Sequence, residues 1–303
     1  MAIGDVVEVE AVPDCYHVDT GMYGTSAYGS VYLLDADRPA IVDSGIGTNH
    51  ERVLAGLETV GIAPAELEAV LLTHVHLDHA GGAGFIAAET GADVYVHADG
   101  ADFLSDPGPL WEGTKAAVGD QIRYYTEPEP VPADAVESVR DGAAVDLGST
   151  TLEVHHAPGH AFHQVIFEDR AADAVYTADA AGIYVPTFDA VRETTPPPGF
   201  DLEEVVADAR MIAGLDPETL CYAHFGAVSA DDRLSEYVDV VTRWVEAIDR
   251  KRAELDDDDE AVVEHFVEAA DVGEAWGEKK AAGEVAMNVR GVLRYLDEGG
   301  GTQ

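Results

Sequence analysis

The chain of 303 residues is long enough to bury a substantial core, as one large domain or two unequal ones. It carries 59 acidic residues against 17 basic ones, a formal net charge of -42 at pH 7, yet 47% of its residues are hydrophobic. That apolar content excludes an acidic disordered chain and points to an ordinary core under a solvated acidic shell, the composition expected of a salt-loving organism.

Strand signals open the sequence with SVYLL (Ser30 to Leu34) and AIVDSG (Ala40 to Gly45). A helix follows with Val53, Leu54, Leu57 and Val60 on one face and Gly61 as its stop. AVLLTH (Ala69 to His74) reads as a buried strand, GAGFIAAETG as a short helix closed by Gly91, and DVYVH (Asp93 to His97) as another strand. The Pro-rich, aromatic segment from Phe103 to Gly142 reads as an excursion from the core. AAVDLG, TLEVHHAPGH, QVIFED and AVYTAD are spaced as hairpins. A second loop runs from Tyr184 to Phe200 and carries TTPPPG. A helix through Leu202, Val205, Val206, Ala209 and Ile212 then precedes the strand LCYAHFG. Strands alternating with helices in both halves predict two α/β layers packed sheet to sheet.

After Gly226 the pattern becomes helical: Leu234, Tyr237, Val238, Val241, Trp244, Val245 and Ile248 form one apolar stripe. The run DDDDE (Asp256 to Glu260) interrupts it, and two further helical patterns follow, the last through Val285, Val289, Val292, Leu293 and Leu296. The expected division is a catalytic domain over 1–230 and a helical C-terminal subdomain over 231–303, ending in a mobile GGGTQ tail.

The N-terminal MAIGDVVEVEAVPDCYHV lacks the basic flank and long apolar run of a signal peptide, and no stretch approaches a membrane span. Cys15 and Cys221 stand far apart and outside any CxxC pattern, so disulfide scaffolds and thiolate zinc sites are disfavoured. A cytoplasmic protein is the default. The acidic surface repels phosphate backbones and anionic membranes, so neither is an expected partner. A small-molecule substrate is, and exposed C-terminal helix faces could form a homodimer.

The densest chemistry lies in THVHLDHAGG (Thr73 to Gly82). Histidines two residues apart at a strand end point the same way, so His74 and His76 can grip one metal ion. Asp78 and His79, just beyond, turn towards a neighbouring position, and Gly81 and Gly82 permit a sharp turn into a helix. Further ligands are on offer at strand ends: His160 in APGHA, Asp179 after AVYTAD and His224 in LCYAHFG.

HxHxDH followed by a distant PGH, an Asp after an apolar strand and a terminal His resembles the metallo-β-lactamase-fold hydrolases, over roughly the first three quarters of the chain. The resemblance implies an αβ/βα four-layer sandwich with a binuclear metal centre at one edge. Carried over residue by residue, it implies that His74, His76 and His160 hold one metal, that Asp78, His79 and His224 hold the other, and that Asp179 bridges them. Asp43 in VDSG matches a position that orients the site from behind. VYVHADGADFLSDPGPLW and HHAPGHAFHQ look like a prokaryotic branch whose substrates are not securely assigned. The family commonly has Gly where this chain has Ala178, and Ala should fit there if the backbone avoids positive φ. Flavodiiron-type relatives put Glu at the position of His76, which disfavours a redox di-iron reading.

The chemistry implied is hydrolysis. Two divalent cations, Zn first with Fe or Mn as alternatives, lower the pKa of a shared water and make hydroxide available to attack a small ester, thioester or lactone, glyoxalase-II-like thioester hydrolysis first among them. The rivals are a phosphodiesterase or RNA-processing nuclease, a mononuclear iron dioxygenase acting on persulfides, and a purely structural metal-binding protein.

Other candidates carry less. Tyr184, soon after Asp179, could donate to a developing oxyanion as tyrosines do in related lactonases, or simply cover a loop. His163 could line the site, and Trp111 and Tyr124 could line a pocket or anchor their loop. Arg290 and Arg294 lie one helical turn apart; resembling thioesterases use such a basic pair to hold a substrate carboxylate, while salt bridges to the acidic surface are the plainer alternative.

Overall fold

The central strands of both sheets are buried along their whole length, as strands covered on two faces must be. A computed structural model describes residues 2–270 and 273–300; residues 301–303 of the GGGTQ tail lie outside the described residues. The first sheet runs in sequence order through β1 (Val6–Glu8), β2 (Cys15–Asp19), β3 (Ser30–Leu34), β4 (Ala40–Val42), β5 (Ala69–Leu71), β6 (Asp93–His97) and β7 (Val136–Val139), antiparallel to β4 and parallel from β4 onwards. The second contains β8 (Ala144–Asp146), β9 (Thr151–His156), β10 (Val165–Asp169) and β11 (Ala174–Ala178) as consecutive antiparallel neighbours. After the separate hairpin of β12 (Ile183–Val185) and β13 (Ala190–Arg192), β14 (Thr219–Tyr222) joins β11 in parallel and β15 (Gly226–Ser229) closes the sheet.

Tyr32 and Leu34 of β3 meet Leu152, Val154, Val165 and Phe167 in the layer between the sheets, while Val31 and Leu33 face outward. Ile166 of β10 likewise faces away from Val165 and Phe167. Both faces are apolar because each is covered. On the outer face of the first sheet lie α1 (His50–Thr59) and α3 (Ala83–Thr90), with the short α2 (Leu77–Ala80) between them in sequence, then α4 (Ala101–Ser105) and α5 (Gly108–Val118). Val53, Leu54 and Leu57 of α1 are buried there, and Gly61 and Gly91 follow α1 and α3 with positive φ. On the other side, α6 (Leu202–Gly214) sends Ile212 onto Ile166, Val175 and Leu220. The result is the αβ/βα four-layer sandwich.

The segment after Phe103 departs from its reading as an excursion. It supplies two helices, and its end, β7, extends the first sheet through four paired positions with β6. Pairing in a parallel edge strand depends on a distant neighbour, which local pattern does not reveal. Both cysteines are fully buried, and burial pushes the Cys15 thiol up to about 12.

Four helices complete the chain: α7 (Arg233–Glu254), α8 (Asp259–Glu268), α9 (Gly273–Trp276) and α10 (Glu278–Asp297). The Asp258 side chain caps α8 by accepting from Ala261 N, so the acidic run both ends one helix and starts the next. The apolar stripe of α7 shares a core with Val289 and Val292 of α10, Val205 of α6, Ile183 and Val185 of β12, and Tyr23, Tyr28 and Ile46. The C-terminal helices therefore pack against the loops at one end of the sandwich.

Candidate metal centre and cleft

That end is where the sheets meet. Val165 N donates to Thr73 O at 2.8 Å, and Ser30 N to Ala223 O at 2.8 Å, tying the two sheets together beside the residues that follow β5, β9, β11 and β14. The structure brings together His74, His76, Asp78, His79, His160, Asp179 and His224 there, in overlapping groups of possible metal ligands: His74, His76 and His160; His74, His79 and Asp179; Asp78, His79 and His224.

Several local devices aim these side chains. The backbone at Ala178 takes φ 46, with a register irregularity between Tyr176 and Ala178 that swings Asp179 into the centre. The condition for an easy fit of Ala at this position is therefore not met, and Ala178 occupies a positive φ. Gly81 and Gly82 act by close approach, not by unusual dihedrals. A Cβ on Gly81 would lie 2.3 Å from Leu77 O, and one on Gly82 2.4 Å from Ser44 O. Asp43 accepts from Thr73 N at 2.9 Å, from the Thr73 hydroxyl at 2.8 Å and from His79 Nδ1 at 2.9 Å. The other rings are also tied on their outer nitrogens: His224 Nδ1 donates to Tyr28 O at 3.1 Å, and His160 Nδ1 to Thr194 O at 3.4 Å. Each anchored ring turns its remaining nitrogen inward.

Inward-facing nitrogens of His74 and His76 stand 3.1 Å apart, as do those of His76 and His160. Asp179 lies between the groups: Oδ2 is 3.2 Å from His160 Nε2 and 3.4 Å from His79 Nε2, and Oδ1 is 3.5 Å from His224 Nε2. Ligands about 2.0–2.1 Å from a tetrahedral ion are separated by about 3.3 Å, so the spacing fits a metal shell. The fit has a second mark. His79 Nε2 and Asp179 Oδ1 are buried without a hydrogen-bond partner among the described residues, a costly arrangement that a cation would relieve.

Burial drives His74 well below the ordinary imidazole value, helped by His79, and takes His76 to about 3, helped by His160. At His79 burial also lowers the pKa, but Asp179, Asp43 and Asp78 outweigh it and hold the ring well above its ordinary value. Burial would raise Asp179, yet His160, His79 and His224 keep it far below the carboxylate range; Asp78 is lowered against its own burial by His79 and His224. The centre thus holds ionised carboxylates among imidazoles that resist protonation, with His79 the exception.

The centre forms the floor of an open cleft, where His76, Asp78, His160, Asp179 and His224 are all part of the lining. Tyr23, Tyr28 and Tyr125 line one wall, and Lys280 and Glu284 of α10 line another. The Tyr23 and Tyr125 hydroxyls are 2.6 Å apart, so one donates to the other and one O–H remains to offer. Burial, reinforced by Asp78, raises both phenols well above their usual range and keeps them protonated. The Lys280 ammonium, 6% exposed, pairs with Glu284 and stands 4.0 Å from the Tyr23 ring centre.

Four sets of candidates lie off the cleft. Tyr184 does not line the cleft: along β12 side chains alternate, so Ile183 and Val185 are buried while Tyr184 turns away and donates to Asp189. Arg290 and Arg294 lie on the outer face of α10, where they bond Glu260 and Glu298. His163 is buried behind the centre, its ring 5.9 Å from that of His76, and is not part of the cleft wall. Trp111 and Tyr124 stay off the cleft, whereas the neighbouring Tyr125 enters it. Lys280, Glu284 and Tyr23 line the cleft although no motif marks them in the sequence. The available signal was the polar row Lys280, Glu284 and Asn288 at helical spacing beside an apolar stripe, all three buried.

A sandwich of this topology with this ligand cluster defines a class, and sequence comparison identifies it. Residues 24–224 match the family model of the Metallo-beta-lactamase superfamily, so the chain belongs to that superfamily, whose members typically bind divalent metals. It is 34% identical over 163 residues to the uncharacterized protein Rv2581c of Mycobacterium tuberculosis, covering 49% of this chain and 66% of that protein. It is 30% identical over 169 residues to the metallo-beta-lactamase fold-containing protein ST1585 of Sulfurisphaera tokodaii, covering 54% of this chain and 62% of that one. With the uncharacterized protein ML0493 of Mycobacterium leprae it shares 38% over 112 residues, 37% of this chain and 49% of that protein. The matches thus span between about half and two thirds of these relatives. The crystal structure of ST1585 superposes with a TM-score of 0.68 at 22% identity, covering 88% of this chain and 93% of that one. Among the described residues no helix is long and apolar enough to cross a membrane.

Proposed function

We propose that this protein is a binuclear metal-dependent hydrolase acting on a small ester, thioester or lactone. The observation that carries the reading is the position of Asp179 between the two histidine groups on the floor of a cleft, with Oδ2 3.2 Å from His160 and 3.4 Å from His79 and Oδ1 3.5 Å from His224. His74, His76 and His160 would hold one cation, Asp78, His79 and His224 the other, and Asp179 both. Zinc suits this nitrogen and oxygen set, with iron or manganese as alternatives. Bound there, the cations would supply hydroxide at neutral pH and polarise a substrate carbonyl.

The chain's own groups do the rest. Asp43 fixes His79 in the tautomer that leaves Nε2 free. The spare O–H of the Tyr23–Tyr125 pair donates to a substrate oxygen, the role first sought in Tyr184. Tyr28 and the apolar side chains of Ile183 and Leu77 shape the wall and limit water.

A phosphodiesterase reading draws on one similarity: the exodeoxyribonuclease WalJ of Streptococcus pneumoniae is 32% identical over 72 residues, 24% of this chain and 26% of that protein. Against it stand the net charge of -42 and a cleft ammonium already committed to Glu284. The test is metal analysis after purification in high salt, followed by a panel of thioesters, lactones, esters and phosphodiesters. Two metals per chain with carboxylic ester or thioester turnover, lost in Asp179→Ala, is the expected result. Turnover confined to phosphodiesters, or one iron with oxygen consumption, overturns the proposal.

A further inference from the structure

The histidines His160 and His224 are oriented by carbonyls on loops that rest on the C-terminal helices. The Thr194 carbonyl accepts from His160 Nδ1 at 3.4 Å. The next amide of the same peptide group, Thr195 N, donates to Asn288 Oδ1 on α10 at 2.9 Å. One planar peptide group therefore has its oxygen on a candidate metal ligand and its nitrogen on α10, and planarity couples the two bonds. The contact is reinforced. The Thr195 hydroxyl donates to Asn288 O at 2.9 Å, and Trp244 Nε1 of α7 donates to that hydroxyl at 3.3 Å. A Cβ on Gly291 would lie 1.8 Å from Thr195 O, so the helix backbone lies directly against the loop. Asn288 itself is 1% exposed and is not among the candidate ligands.

We infer that Asn288 is a positioning residue for the metal centre, acting through the Thr194–Thr195 peptide to hold the His160 ring. This rests on the metal-dependent reading above. An amide on a helix far along the chain would be a needless burial cost in an apolar core, and Val285, Val289 and Val292 show that α10 otherwise buries aliphatic side chains. Its bond to Thr195 N polarises the peptide so that Thr194 O is a better acceptor. That keeps the proton of His160 on Nδ1 and its lone pair on Nε2, facing His76 and Asp179.

The test uses the full chain as wild type, Asn288→Ala, Asn288→Asp (which keeps the Oδ1 acceptor) and Val292→Ala as a control for lost α10 packing. Zinc affinity is measured by chelator competition. Asn288→Ala should weaken one of the two zinc ions by about 10–100-fold and leave the other within about threefold, Asn288→Asp should recover most of the loss, and Val292→Ala should lower stability without moving either affinity. Equal affinities in Asn288→Ala and wild type, or equal weakening of both ions, overturn the inference. Long-range ¹H–¹⁵N NMR of the metal-free protein gives a second reading that needs no metal. It should show His160 protonated on Nδ1 in wild type, with Nε2–H gaining in Asn288→Ala; an unchanged tautomer overturns the inference. A wild type that binds no zinc sinks the hydrolase reading and leaves the tautomer measurement decisive for Asn288.

Discussion

Replacing Gly159 by Ala probes how tightly the turn carrying His160 is held against α6. A Cβ at Gly159 would lie 2.2 Å from Val205 N and 2.5 Å from Val205 Cα, both helix backbone that no rotamer change can clear. Non-bonded contacts sit near 3.5 Å, so turn and helix must separate by about 1 Å. The same turn is tied to the helix by Gly159 N donating to Asp208 Oδ2 at 2.7 Å and Asp201 N donating to Gly159 O at 2.9 Å. A separation of about 1 Å takes both beyond bonding range. Overpacking contributes about 1–3 kcal/mol and each broken buried bond about 1–3 kcal/mol, giving roughly 3–6 kcal/mol if the contributions partly overlap. At the unfolding entropy of a chain this long, that lowers Tm by about 5–10 °C. His160 moves with the turn, so zinc affinity should also fall by about 10–100-fold. Thermal denaturation of the metal-free protein and chelator competition read the two effects. A variant melting within about 1 °C of wild type with unchanged affinity refutes the reasoning.

Further outcomes follow from the same geometry. Burial pushes the Asp208 carboxyl up to about 7, so the native state binds more protons than the unfolded chain between roughly pH 4 and 7, and Asp208 loses native stability as pH rises through that window. Asp208→Asn should therefore gain on wild type above pH 7 compared with pH 4, measured by urea unfolding; a pH-independent difference counts against it. His79, raised well above its ordinary value by the three carboxylates that outweigh its burial, is protonated at pH 7 in the metal-free chain. Metal binding should then release about one proton from it and tighten as pH rises, seen by calorimetry in buffers of differing ionisation enthalpy; zero release contradicts the assignment. At Ala178, φ 46 costs about 1–2 kcal/mol, which Gly would relieve while losing about 0.5–1 kcal/mol in backbone entropy and about 0.8 kcal/mol in methyl burial. Ala178→Gly should thus stay within about 1 kcal/mol of wild type, and Ala178→Val should lose several times more, because a β-branched residue at positive φ is a strained outlier. Equal stabilities in denaturant titrations would show that the strain is absent.

Much of this protein was legible residue by residue. The apolar runs in SVYLL and QVIFED, the helical stripe of α7, and the stops at Gly61 and Gly91 depend on neighbours a few positions away, and the chain spells them out directly. The converging candidate ligands were legible for a related reason: most follow an apolar strand, and a strand end delivers the next polar side chain to the sheet edge. What local pattern left open was every choice made by a distant partner. Tyr184 and Tyr125 look alike in sequence, and only the pairing of β12 with β13 and the packing of the 119–125 turn decide which faces the cleft. Arg290 and Lys280 sit on one helix, and only the docking of α10 onto Thr195 and Tyr23 decides which of them is buried and which meets solvent. The sequence by itself determined most of the elements and the candidate ligands, because periodicity and turn chemistry act over a few residues. Tertiary structure decided the cleft wall, because orientation there is set by contacts between segments that the chain keeps far apart.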